Sequence, residues 1–94
     1  SSKAAIEGLT VSLAAELSPQ IRVNCIAPSL TKSKMSKDVI KNSRIEESIA
    51  KLHPLKRLGE GVDAANLAYF LLSDDSSWIT GQIIGVDGGR AAIA

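Results

Sequence analysis

The sequence predicts part of an α/β domain built on a parallel sheet, and three observations carry that prediction. Apolar residues recur at three- and four-residue steps in two stretches, residues 4–17 and residues 62–73, as in helices with one buried face. Two short runs, residues 21–27 and 82–86, are apolar on both faces, the pattern of strands covered by helices above and below. The connection between those runs is long, as a right-handed parallel crossover requires. Two such strands make a poor sheet alone, so the 94 residues read as a piece of a larger α/β domain.

The first helix carries Ile6, Leu9, Leu13 and Leu17 as its stripe, with Ala5 beside them. Its start admits two readings: either Ser1 or Ser2 caps it, or the helix begins earlier and the chain has been cut. Pro19 ends it, having no N–H and disfavouring helical geometry just before it. In the strand IRVNCIA, Ile21, Val23 and Cys25 alternate with Arg22, Asn24 and Ile26, and Pro28 is its stop. The next stretch is polar and helix-tolerant, with Val39, Ile40, Ile45, Ile49 and Leu52 as sparse anchors. HPLKRLGEG is a turn-rich break. The second good helix places Ala64, Leu67, Ala68 and Leu71 on one face, and the last strand closes on the turn Asp87-Gly88-Gly89.

Hydrophobic residues make up 45% of the chain, ordinary for a globular protein and too high for a disordered one. Aromatic residues make up only 3%, so any core is built from Ala, Ile, Leu and Val. The net charge of +1 gives no overall push towards nucleic acid or membrane. Cys25, the single cysteine, excludes an internal disulfide framework and suits a reducing compartment. No apolar run approaches the roughly 20 residues of a membrane span, and no signal-peptide pattern stands at the start. A soluble, cytoplasmic chain is the expectation.

Three stretches, in this order and spacing, resemble the C-terminal part of a short-chain dehydrogenase/reductase: SSKAAIEGLTVSLAAEL, RVNCIAPSLTKSKM and RLGEGVDAANLAYFLLSDDSSWITGQIIGVDGG. The resemblance covers essentially the whole chain. It rests on the Ser-Lys-Ala-Ala start, the Asn-x-x-x-Pro strand end and the Ile-Thr-Gly-Gln…Val-Asp-Gly-Gly finish. It implies a Rossmann-type doubly wound parallel sheet, of which residues 1–94 are the C-terminal helix–strand–helices–strand portion of one NAD(P)-binding domain. The implied activity is hydride transfer between a nicotinamide, as NAD or NADP, and a small alcohol or carbonyl substrate. The implied assembly is a homo-oligomer, with neither nucleic acid nor membrane as partner.

The resemblance also bears on the start of the chain. Lys3 occupies the lysine position of the family's Tyr-x-x-x-Lys motif, so the tyrosine is expected two residues before Ser1. Tyr69, the only tyrosine present, lies in the wrong helix to replace it. A tyrosine exchanges protons near neutral pH only if an adjacent cation lowers its pKa from about 10. By resemblance Lys3 supplies that charge and also hydrogen-bonds the cofactor ribose. Residues four apart share one helical face, which suits the pairing.

The second implied site is PSLTKS, where the family reads Pro-Gly-x-x-x-Thr against the nicotinamide. Here Pro28 is kept and Ser29 replaces the glycine. Thr31 falls at the position that contacts the carboxamide, and Ser33 keeps the hydroxyl of the usual threonine. A Cβ at Ser29 conflicts with any need for positive φ or very close backbone approach. The carboxyl end of a parallel strand is also where general α/β rules place a ligand.

Several features point less far. Gly59-Glu60-Gly61-Val62-Asp63-Ala64 fits G-x-G-x-x-A, but no strand is expected before it, and its two acids would repel a pyrophosphate. Those acids favour the helix dipole instead. The lysines and arginines of the middle segment read as a solvated face, or as a lid over an anionic substrate. His53 shows no ligand set around it, so no metal site is expected. Cys25 reads as a small apolar residue. The alternative to an enzyme is a non-catalytic relative, a binding or self-association module that keeps the fold. The fragment alone is expected to be inactive, because the glycine-rich phosphate loop and the tyrosine lie outside it.

Overall fold

Helix α1 (Ser2–Leu17) ends where proline chemistry requires, with Ser18 donating from both its backbone N–H (3.2 Å) and its hydroxyl (2.6 Å) to the Ala14 carbonyl. The computed structural model describes residues 2–29, 31–32 and 43–93, except the side chains of 31 and 32. The chain forms two units: Ser1–Ile26 with Asn66–Ile84, and Ala27–Ala65 with Gly85–Ala94. Strand β1 (Cys25–Pro28), β2 (Thr31–Lys32), α2 (Ser43–Lys51), β3 (Gly59–Glu60), α3 (Gly61–Leu72), β4 (Ile83–Val86) and α4 (Arg90–Ile93) follow in order. Strand β1 pairs with β4, and β2 with β3. Cys25 N–H donates to the Gln82 carbonyl and Ser29 N–H to the Val86 carbonyl, at 2.8 and 3.3 Å. Both partners advance together by the same step, so the β1–β4 pair is parallel, as the long crossover predicts.

In the first unit, α1 buries a different stripe from the one its large apolar residues mark. Thr10 and Ala14 are buried while Ile6 and Leu9 lie in the open. The cause is local. A Cβ built on Gly81 would stand 3.5 Å from that of Ala14, so a small side chain on the helix admits close approach of the 79–82 loop. Thr10 conceals its hydroxyl by donating to the Ile6 carbonyl at 2.8 Å.

The strand after α1 is also shorter than the alternation of residues 21–27 predicts. Residues 22–24 meet the 79–82 loop through side chains rather than a backbone ladder. Val23 N–H donates to Thr80 Oγ1 at 3.0 Å, and Asn24 Nδ2 donates to the Ile79 carbonyl at 3.1 Å. Gln82 N–H returns a bond to Asn24 Oδ1 at 3.1 Å. Arg22 reaches further, donating to Ser76 Oγ (2.9 Å), the Ser73 carbonyl (3.2 Å) and the Ile79 carbonyl (3.4 Å). It thereby adds a charged donor to carbonyls that also accept from Ser76 and Asn24, and ties β1's lead-in to the 3-10 turn Asp74–Ser76 and the loop after it. Ser76, 1% exposed, is the most buried residue of that turn. Along α3 itself, Ala64, Leu67 and Ala68 are half-buried and Leu71 is buried, the face its spacing predicts.

In the second unit, β2 pairs in parallel with β3 in the register Thr31↔Gly59 and Lys32↔Glu60. The turn-rich break therefore holds a short strand that its composition hides. Helix α2 takes the later part of the polar stretch; the anchors Val39 and Ile40 lie outside the described residues. Leu58 is the buried apolar residue of this unit. Gly88 (φ 61°) and Gly89 (φ 86°) take the left-handed conformation that the Asp-Gly-Gly turn requires, and α4 follows at once. Among the described residues no helix is long and apolar enough to cross a membrane.

Candidate functional site

Strands β1 and β4 run side by side and end together, at Pro28 and Val86. At their carboxyl ends the second unit holds a cavity of about 210 Å³, lined among others by Ser29, His53, Leu55, Arg57, Asp63 and Asp87. That is the crevice position where parallel α/β sheets take their ligands. Four segments build it, one of them β3 and the start of α3 with Gly59 and Asp63. The residue after β1 supplies Ser29, the turn after α2 supplies His53 to Arg57, and the turn after β4 supplies Asp87.

Ser29 takes an ordinary backbone conformation, since Lys56 (φ 59°) is the non-glycine residue with positive φ among those described. The Cβ that stands where a glycine is expected is therefore accommodated without strain. The Ser29 hydroxyl lies 2.8 Å from His53 Nε2, and His53 Nδ1 lies 2.9 Å from the Ile49 carbonyl. His53 is only 2% exposed. The turn that carries it closes with Lys56 N–H donating to the His53 carbonyl at 2.8 Å. Leu55 N–H donates to the Gly88 carbonyl at 3.1 Å, which ties this turn to the end of β4.

The charged side chains are anchored as well. Arg57 grips Asp63 with both nitrogens, at 2.9 and 3.1 Å. Asp63 also accepts the Glu60 N–H at 2.8 Å, which caps the first turn of α3 in the manner of a capping box. The bond from Arg57, followed by that from the Glu60 N–H, lowers the Asp63 pKa from 3.8 to about 2. The same partner raises the Arg57 pKa. Asp87 accepts N–H groups of Gly89 (3.0 Å) and Ala91 (3.2 Å) and so caps the C-terminal turn. The G-x-G-x-x-A match is thus a cap and an ion pair, although β3 does precede its helix.

Of the residues expected at a cofactor site, Pro28, Ser29 and Thr31 belong to the second unit. Pro28 ends β1, Ser29 lines the cavity, and the backbone of Thr31 pairs in β2. Ser33 lies outside the described residues. Lys3 belongs to the first unit, on the opening turn of α1. It is exposed, and among the described residues no hydrogen bond or ion pair engages its ammonium. His53 was not foreseen as a partner of Ser29. The available signal was a hydroxyl at a glycine position, since a half-buried hydroxyl needs a hydrogen-bonding neighbour.

A family model described as enoyl-(acyl carrier protein) reductase matches residues 1–91. Dehydrogenase/reductase SDR family member 4 of Homo sapiens is 46% identical over 89 residues, covering 94% of this chain and 32% of that protein. A short-chain type dehydrogenase/reductase from Mycobacterium ulcerans superposes with a TM-score of 0.85 at 40% identity, over 94% of this chain and 32% of that one. A gluconate 5-dehydrogenase from Burkholderia cenocepacia, solved with NADP and tartrate, superposes with a TM-score of 0.87 at 26% identity, over 98% of this chain and 36% of that one. The chain spans about a third of the length of the curated relatives it matches. The parallel β1–β4 pair, the cavity at its carboxyl ends and the match along residues 1–91 agree: the chain belongs to the short-chain dehydrogenase/reductase family.

Proposed function

We propose that this chain is the C-terminal part of an NAD(P)-dependent oxidoreductase that interconverts a small alcohol and its carbonyl. The observation that carries the reading is the cavity at the carboxyl ends of two parallel strands, in a chain matched to this family over residues 1–91. The lining fits one end of a nicotinamide dinucleotide, because a carboxamide needs both hydrogen-bond donors and acceptors and this site offers hydroxyl, guanidinium and carboxylate groups. The bound dinucleotide supplies or takes the hydride at its nicotinamide ring. Pro28 and Ser29 shape the strand exit against that ring, and Thr31 continues the wall through its pairing with Gly59.

Lys3 is the chain's own contribution to proton chemistry. On this reading its exposed cation, on the first turn of α1, holds down the pKa of the tyrosine expected one helical turn earlier in the intact protein. In the intact protein Lys3→Ala is expected to lower kcat at least about 100-fold, the ordinary worth of general acid–base catalysis, while the circular dichroism spectrum is unchanged. Turnover close to wild type in the folded variant would overturn the assignment and favour a non-catalytic relative. A homo-oligomer is part of the same reading.

A further inference from the structure

The Ser29–His53–Ile49 chain has a direction. A carbonyl oxygen only accepts, so His53 Nδ1, at 2.9 Å from the Ile49 carbonyl, carries a proton and donates it there. In the neutral imidazole Nε2 is then the acceptor, and the single hydroxyl proton of Ser29, at 2.8 Å, is committed to it. What Ser29 has left for the cavity it lines is lone pairs. Burial of His53, at 2% exposure, keeps water from competing for either ring nitrogen.

We infer that His53 is a positioning residue that fixes the Ser29 hydroxyl as a hydrogen-bond acceptor towards the cavity, so that the site selects a ligand group that donates an N–H. On the dinucleotide reading proposed above, on which this inference rests, that group is the amide NH2 of the nicotinamide carboxamide. A serine without its histidine could turn its proton either way, and would donate to a carbonyl as readily as accept from an amide N–H. The pair adds a preference that a glycine at position 29 could not express, because glycine has no side chain to accept with.

The test compares binding of two dinucleotides to the intact protein by calorimetry, with no substrate present: the natural nicotinamide form, and the 3-acetylpyridine analogue, in which a methyl ketone replaces the amide. Wild type is expected to prefer the natural form by about fivefold, the net worth of one neutral hydrogen bond. Ser29→Ala and His53→Leu should each bring that preference close to one, and the double variant should lose no more than either. His53→Gln, whose carbonyl accepts the Ser29 proton, should restore it. Ser29→Ala removes one exchangeable group and reads the same quantity if the histidine variant does not fold. A preference that survives in Ser29→Ala, or single-variant losses that multiply in the double variant, would overturn the inference. Failure of wild type to bind either dinucleotide would instead bring down the oxidoreductase reading, and this inference with it. A nitrogen-correlated NMR spectrum showing the proton of the neutral His53 ring on Nε2 would overturn it with no ligand at all.

Discussion

Asp63 shows how much one carboxylate holds in place. It fixes Arg57 at the cavity edge and caps α3 through the Glu60 N–H, and both bonds favour its charged form. In the unfolded chain the same group titrates near 3.8, and in the fold near 2. A depressed folded-state pKa contributes stability that is fully present above the unfolded value and lost as pH falls through the folded one. The thermal midpoint of the wild type should therefore exceed that of Asp63→Asn by a constant margin at neutral pH. That margin should shrink between pH 4 and pH 2; a gap that stays level to pH 2 would contradict the pairing. At this scale the sequence told half. An acid favouring a helix start was legible at Asp63, because the dipole acts locally. The bond from Arg57 needs the turn between them. His53 was legible only as a histidine without metal partners, since its bond to Ser29 crosses 24 residues of chain.

Among the elements, helices were read well and strand limits poorly, for a common reason. Helical periodicity is a property of one segment, so the buried face of α3 could be taken from spacing alone. A strand ends where its partner stops pairing, and residues 22–24 lose the ladder to side chains of the 79–82 loop. The stripe of α1 went astray because Ala14 and Gly81, both small, admit a contact that large residues would hold apart. Arg22 is the element-scale anchor, with one guanidinium joining three groups around the end of α3. Arg22→Met should destabilise the intact protein by about 2 kcal/mol in urea unfolding, the worth of the charged hydrogen bonds lost. Arg22→Lys should recover only part, because a point charge cannot fork. Equal stability of wild type and Arg22→Met would show that the bonds from Asn24 and Ser76 hold those carbonyls without Arg22.

At the scale of the whole molecule, apolar surface exceeds what the chain itself covers. Trp78 is 98% exposed and Leu72 86%, and of the described hydrophobic residues only Ala14, Leu58 and Leu71 are buried. Covering each large side chain is worth about 1.5–3 kcal/mol, a sizeable share of a small domain's stability. The isolated 94 residues are expected to sediment as an assembly and to bind no dinucleotide; a folded monomer of 9.9 kDa would contradict the first. Each unit, moreover, closes only with residues from the far end of the chain. Arg22 meets Ser76 across 54 positions, Asn24 meets Gln82 across 58, and Ser29 donates to Val86. On the ribosome, α1 and β1 emerge well before the 79–82 loop and β4 that they meet here, and a nascent chain stalled before residue 79 would hold neither. Synthesis of this segment thus has a long interval in which the β1 edge that β4 will cover stands open, and a chaperone that shields that edge has the most to do then.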